Sequence, residues 1–184
     1  MHTDVVDRIL VSEESLQQRI SELGATLSAE YAGKDLVFVC ILKGGVTFLT
    51  DLMRRVTVPH EIDFMAISSY GAGQRESTGA VRLILDLKTD IAGRDVVIVE
   101  DIVDTGQTMD YLLRLFRARG PASLRVCALL NKPSRRTVDV PLDYVGFDIP
   151  DEFVLGYGLD FDEKYRNLPF VAVLKREYFG GLPD

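Results

Sequence analysis

Between Ser12 and Tyr31 the apolar residues fall at Leu16, Ile20, Leu23 and Leu27, a spacing of three to four that lines one face of a helix. Ser12 can accept a free amide at its start, Glu13 and Glu14 suit its positive end, and Gly33 stops it. The pattern then changes. Asp35–Leu42, "DLVFVCIL", is apolar almost without interruption, as in a strand covered on both faces. "KGG" follows, and a helix is predicted from about Val46 to Arg55. A second extended run, Glu61–Ser69, is separated from "AVRLIL" by the glycine-rich, polar stretch "YGAGQRESTG". After Gly93 the strand "DVVIV" (Asp95–Val99) enters a polar loop and then a helix from about Thr108 to Arg119, ended by Gly120–Pro121. "SLRVCALLN" reads as another apolar strand, residues 140–168 are mixed and loop-rich, and "PFVAVLK" closes with a short strand.

Apolar strands alternating with helices predict an α/β fold, with a mostly parallel twisted sheet and helices on both faces. Ligands of such sheets sit beyond the carboxyl ends of the strands, and the loops after Leu42, Val99 and Leu130 would all open on that edge. No repeat or linker divides the chain, so residues 1–184 read as a single domain.

Composition narrows the picture. The chain has 184 residues, 47% of them hydrophobic, enough for one substantial core. Its net charge of −7 argues against a broad nucleic-acid surface, so an anionic ligand would need local cations and backbone amides. No apolar run approaches a membrane span, and "MHTDVVDRIL" is too charged for a signal peptide. Cys40 and Cys127 lie inside apolar runs and read as buried, reduced thiols; a cytoplasmic protein is expected. His2 and His60 have no partner at a ligand spacing and read as surface or loop residues.

The stretch "VVIVEDIVDTGQTMDYLLRLF", residues 96–116, holds the candidate chemistry. In "DTGQT", Gly106 permits a tight turn, Thr105 and Thr108 carry hydroxyls, and the following helix aims free amides and its positive dipole at the loop. It has neither the lysine and glycine spacing of a P-loop nor G-x-G-x-x-G. By this pattern alone the turn serves equally as a capped helix start or a phosphate site. Glu100 and Asp101 narrow the choice, because carboxylates beside a phosphate repel it unless they meet a sugar diol or a divalent cation. A ligand with one ribose, a terminal phosphate and a metal would satisfy every residue of the loop.

"VVIVEDIVDTGQT" resembles the 5-phosphoribosyl 1-pyrophosphate (PRPP) motif of the type I phosphoribosyltransferases. More narrowly, the chain resembles their bacterial-type hypoxanthine branch. The likeness continues through "LKGG" (42–45), "SSYG" (68–71), "STG" (77–79), "LLNKPSRR" (129–136) and "GFDIPDEFVLGYGLDF" (146–161). The ordered set is far more specific than the PRPP motif alone.

The resemblance implies the family's fold with a small hood, built from the N-terminal segment and about residues 146–184, and a mobile lid at about 69–79. It implies that Asp104, Thr105, Gly106, Gln107 and Thr108 hold the 5′-phosphate. Glu100 and Asp101 would meet the ribose hydroxyls, directly or through Mg²⁺, with Asp160 as a further Mg²⁺ carboxylate. Asp104 would be the base that takes the proton from purine N7. Lys43, Gly44, Arg166, Ser69 and Tyr70 would contact pyrophosphate, and the Leu42–Lys43 peptide would be cis. Lys132 would donate to the purine O6, Phe153 would stack on the base, and the backbone of Val154 would bond its edge.

The implied reaction joins hypoxanthine or guanine to PRPP, with Mg²⁺ as cofactor and a homodimer or homotetramer as the assembly. The residues leave two alternatives: a PRPP-sensing regulator without turnover, or the same fold serving xanthine or another base. Two stretches differ from the family pattern. "LILDLK" (83–88) stands where relatives often show "ILKDLD", and Gln107 stands where many carry Lys.

Overall fold

The computed structural model describes residues 4–69 and 81–178. Strand β1 (Val6–Val11) leads into α1 (Glu13–Glu30), β2 (Leu36–Leu42), α2 (Gly45–Arg55), β3 (His60–Ser69) and β4 (Val81–Leu85). Then follow β5 (Asp95–Val103), α3 (Gln107–Arg117), β6 (Ser123–Asn131), β7 (Tyr144–Asp148), β8 (Val154–Leu155) and β9 (Val171–Leu174). The expected lid at 69–79, with Tyr70 and "STG", lies outside the described residues except for the backbone of Ser69.

Six strands form the main sheet in the order β4-β3-β2-β5-β6-β7. All neighbours are parallel except β3 and β4. The uninterrupted apolar runs are explained by burial on both sides. Phe38, Cys40, Val97, Val99, Cys127 and Leu129 pack towards α1 and α2. Val37, Val39, Ile41, Val96, Ile98 and Val126 pack towards Met109, Leu112, Leu113 and Phe116 of α3. The stripe Leu16, Ile20, Leu23 and Leu27 of α1 is buried, and the Ser12 hydroxyl accepts the Ser15 amide at 3.2 Å, as its sequence position predicts.

Three differences from the sequence reading matter. Strand β5 runs on to Val103, because Glu100, Ile102 and Val103 continue to pair with Ala128, Leu130 and Asn131 of β6. Glu100 and Asp101 therefore lie within the paired end of the strand, which the sequence reading closed at Val99. Second, Val6–Val11 forms a strand with little hydrophobic alternation, because β9 supplies its hydrogen bonds. With β8 it makes the separate three-stranded sheet of the hood. Third, His60 opens β3 half-buried, its ring edge-on to Phe38 at 5.1 Å, and is not a free surface histidine.

Within the departure at 83–88, Leu83 and Leu87 pack on the core and Asp86 pairs with Arg119, whereas Lys88 meets the fold through its backbone. The Asp63 carboxylate, 8% exposed, accepts the amides of Lys88 and Thr89 at 2.8 Å each, so the side chain at 88 is free to vary. Burial alone would raise the Asp63 pKa, but these amides and that of Phe64 outweigh it and hold it below the ordinary value. A carboxyl depressed in the folded state stabilises the fold above its unfolded pKa of about 4, and that contribution disappears as pH falls through the folded value. Asp63→Asn is expected to lose about 1–3 kcal/mol at pH 7. In urea titrations at several pH values, the gap to wild type should shrink below about pH 4; a pH-independent gap would contradict the assignment.

Candidate active site

The parallel strands β2, β5 and β6 end at one edge of the sheet, and each delivers a functional segment there. A cleft at this edge is lined by Glu100, Ile102, Val103, Asp104, Thr105, Gly106, Thr108 and Met109. A second, more open groove between α1 and the end of α2 carries Arg55 as its only ionisable lining residue.

The floor of the cleft is the start of α3. Gly106 has φ +88°, a left-handed conformation open to glycine, and a Cβ there would stand 2.3 Å from the Val138 carbonyl oxygen. The Thr105 carbonyl accepts the amides of Thr137 and Val138 at 2.9 and 3.0 Å, which ties the turn down from behind. The first intrahelical bond runs from Asp110 to the Gly106 carbonyl, so the amides of Thr108 and Met109 precede the helical ladder, while that of Gln107 meets the Thr105 hydroxyl at 3.5 Å; a helix start of this kind suits an anion.

Glu100 and Asp101 form the acidic wall. Burial, and then the neighbouring Asp101 charge, push Glu100 well above the usual carboxylate range. Burial raises Asp101 as well, against the hydrogen bond with Glu100, the Ile102 amide 2.9 Å from Oδ1 and the charge of Arg166. Glu100 Oε2 is buried with no hydrogen-bond partner among the described residues. Two adjacent carboxyls with an orphaned oxygen fit a cation shared with ligand oxygens. A closed protein cage is not formed, since no three His, Cys, Asp or Glu side chains among the described residues converge on one point. Asp160 is not part of this pair. Its Oδ1 holds Arg166 at 2.7 Å and its Oδ2 takes the Glu163 amide at 3.0 Å.

Gly44 packs so closely on Asp101 that a Cβ would fall 1.6 Å from its Oδ2. The Leu42–Lys43 peptide beside it is cis, as the resemblance implies. The Lys43 ammonium reaches Glu163 Oε2 at 2.8 Å, and Arg166 donates to the Gly158 carbonyl at 2.8 Å. The first link joins the end of β2 to the loop that follows β8, and the second closes that loop on itself.

On the other side, Lys132 follows β6, with its amide on the Val103 carbonyl at 3.0 Å and its side chain largely buried. Its ammonium stands 3.9 Å from Asp151 Oδ1. Arg135 lies 3.6 Å from Asp151 and 3.3 Å from Asp104 Oδ1, so charges of alternating sign run from Lys132 to Asp104. Phe153 is 36% exposed and meets Phe161 edge-on at 6.0 Å, while Val154 is buried in β8 opposite Val173. Sequence reasoning passed over Glu163, Asp151 and Arg135, all charged residues in loop-rich stretches with no spacing signal. Both cysteines are buried, and burial, then Glu100 and Asp101, push the Cys40 thiol up to about 12.

Residues 9–162 match the family model for the phosphoribosyl transferase domain. The chain belongs to that family. Among similar phosphoribosyltransferases, "Hypoxanthine-guanine phosphoribosyltransferase" of Streptococcus thermophilus is 47% identical over 174 residues, covering 95% of this chain and 96% of that protein. The crystal structure of a hypoxanthine phosphoribosyltransferase from Staphylococcus aureus superposes with a TM-score of 0.91 at 47% identity, covering 96% of this chain and 95% of that one. "Bifunctional protein TilS/HprT" of Listeria monocytogenes is 48% identical over 179 residues; these are 97% of this chain but only 27% of that longer protein. In this phosphoribosyltransferase chain no helix among the described residues is long and apolar enough to cross a membrane.

Proposed function

We propose that the chain is a Mg²⁺-dependent purine-salvage transferase. It joins hypoxanthine, and guanine as a second base, to PRPP, releasing IMP or GMP and pyrophosphate. The observation that carries this reading is the convergence at one sheet edge of the amide-rich α3 turn, the Glu100–Asp101 pair, and Lys43–Gly44 with Arg166 nearby. The relatives named hypoxanthine-guanine phosphoribosyltransferase supply the base class.

The Thr105–Thr108 turn holds the 5′-phosphate through amides and hydroxyls, and Glu100 and Asp101 orient the ribose hydroxyls. Lys43, Gly44 and Arg166 receive the pyrophosphate, with Ser69 and Tyr70 assigned to the same group. Purine N9 forms the new bond to C1′ while the C1′–O bond breaks and its electron pair leaves with pyrophosphate. As N9 bonds, N7 becomes more acidic and its proton passes to Asp104. When bound, Mg²⁺ supplies neutralisation of the departing charge and rigid hold on the ribose. Glu100 and Asp101 would hold it, with Asp160 available once Arg166 turns to pyrophosphate. Lys132 donates to O6, Phe153 stacks on the ring, and the Val154 backbone bonds the base edge. Cytoplasmic location and assembly as a homodimer or homotetramer belong to the same proposal.

The test is nucleotide formation from PRPP, Mg²⁺ and each base in turn. Hypoxanthine and guanine should turn over and adenine should not. PRPP binding without turnover on any base would point instead to a regulator. In Lys132→Ala the preference for 6-oxopurines should fall by about 1–3 kcal/mol, roughly 5- to 150-fold, because the O6 donor is lost. An unchanged ranking of bases would remove Lys132 from recognition.

A further inference from the structure

One carboxylate stands where the leaving group is assigned. Glu163 Oε2 lies 2.8 Å from the Lys43 ammonium and 3.5 Å from Arg166 Nη2, so a single oxygen sits between both cations of the pyrophosphate subsite. Lys43 follows β2, whereas Glu163 is 120 residues further along the chain.

The turn that carries Glu163 is built to keep it there. Asp162, Glu163 and Tyr165 all have left-handed φ, at 52°, 59° and 71°, which non-glycine residues seldom adopt. Asp160 accepts the Glu163 amide, and Phe161 and Lys164 exchange hydrogen bonds of 3.1 Å across the turn. The Glu163 carboxylate meets the Lys43 ammonium directly as an ion pair. Its side chain is 66% exposed, so it can swing outward without disturbing the core.

We infer that Glu163 is an internal stand-in for pyrophosphate, occupying its two cations in the free protein and yielding them when the leaving group enters. This rests on the reading of Lys43 and Arg166 as the pyrophosphate cations. Arg166 is held by Asp160 at 2.7 Å as well, so the Glu163 carboxylate serves chiefly to bring Lys43 up beside it against their like-charge repulsion. Pyrophosphate must displace it and then bear a like charge nearby. Glu163 thus lowers the affinity of the subsite and favours release of the product.

Glu163→Gln keeps the volume and removes the charge, and Glu163→Asn is a second neutral variant suited to a left-handed backbone. Calorimetric titration of pyrophosphate with Mg²⁺ at constant ionic strength should give a Kd about three- to tenfold lower in both variants than in wild type. Titration of IMP, which carries no pyrophosphate, should be unchanged. Equal or weaker pyrophosphate binding in the variants overturns the stand-in role, as does an equal gain for IMP. If wild-type protein binds IMP but not pyrophosphate, it is the assignment of Lys43 and Arg166 that fails.

Discussion

Asp104→Asn is expected to lower kcat by about 10²- to 10⁴-fold, the range set by removing a positioned proton acceptor. Asparagine has the same shape and still offers an oxygen to Arg135, which lies 3.3 Å from Asp104 Oδ1. It cannot take a proton. Asp104 stands one residue beyond the end of β5, on the cleft lining and before the anchored turn at Thr105. The Kd for PRPP should therefore stay near the wild-type value, because the α3 amides and the Glu100–Asp101 pair are untouched. Pre-steady-state turnover and PRPP titration separate the two quantities. A chemical step that runs at close to the normal rate would exclude Asp104 as the base.

The second large effect is expected of Gly44→Ala. The new methyl carbon would stand 1.6 Å from Asp101 Oδ2 and 2.6 Å from its Cγ, far inside contact distance. The obstructing atoms are the end of a side chain, so the fold can yield by turning the carboxylate away. Its other oxygen is then pulled from the Ile102 amide, where it accepts at 2.9 Å. Asp101 is assigned to the ribose and its cation, and a displacement of about 1 Å at such a group is enough for a loss of about 10²-fold. The expected result is a drop of that order in kcat/KM for PRPP, with the melting temperature little changed. Activity near wild type would mean that Asp101 can be moved without consequence and has no part in holding the ribose.

Much of the site was legible because its chemistry is local in the chain. The turn Asp104–Thr108 declares itself through Gly106 between two hydroxyl residues at a helix start, and that motif needs only its own backbone to present amides. Glu100 and Asp101 were legible for the same reason. Their exact setting was not, since the reading ended the strand at Val99 where the charges begin. Pairing with Ala128, Leu130 and Asn131 of β6 carries it four residues further and buries the carboxyls. The cis peptide and the roles of Lys43 and Lys132 came through resemblance, because a lysine after an apolar strand has no local mark that separates it from a solvated one.

By itself the sequence determined the alternation of α1, β2, α2, β5, α3 and β6. Those elements follow from runs and periodicities that bury their own apolar faces, and parallel strands must then end on a common edge. The tertiary structure alone decided that Val6–Val11 in the hood becomes a strand, because Val171–Leu174 supplies the missing hydrogen bonds. It also decided that Glu163 meets Lys43 and that Gly44 abuts Asp101. Contacts between charges so far apart in the chain leave no periodicity to read, because a long-range ion pair constrains the distance between two points in space and nothing about the residues between them.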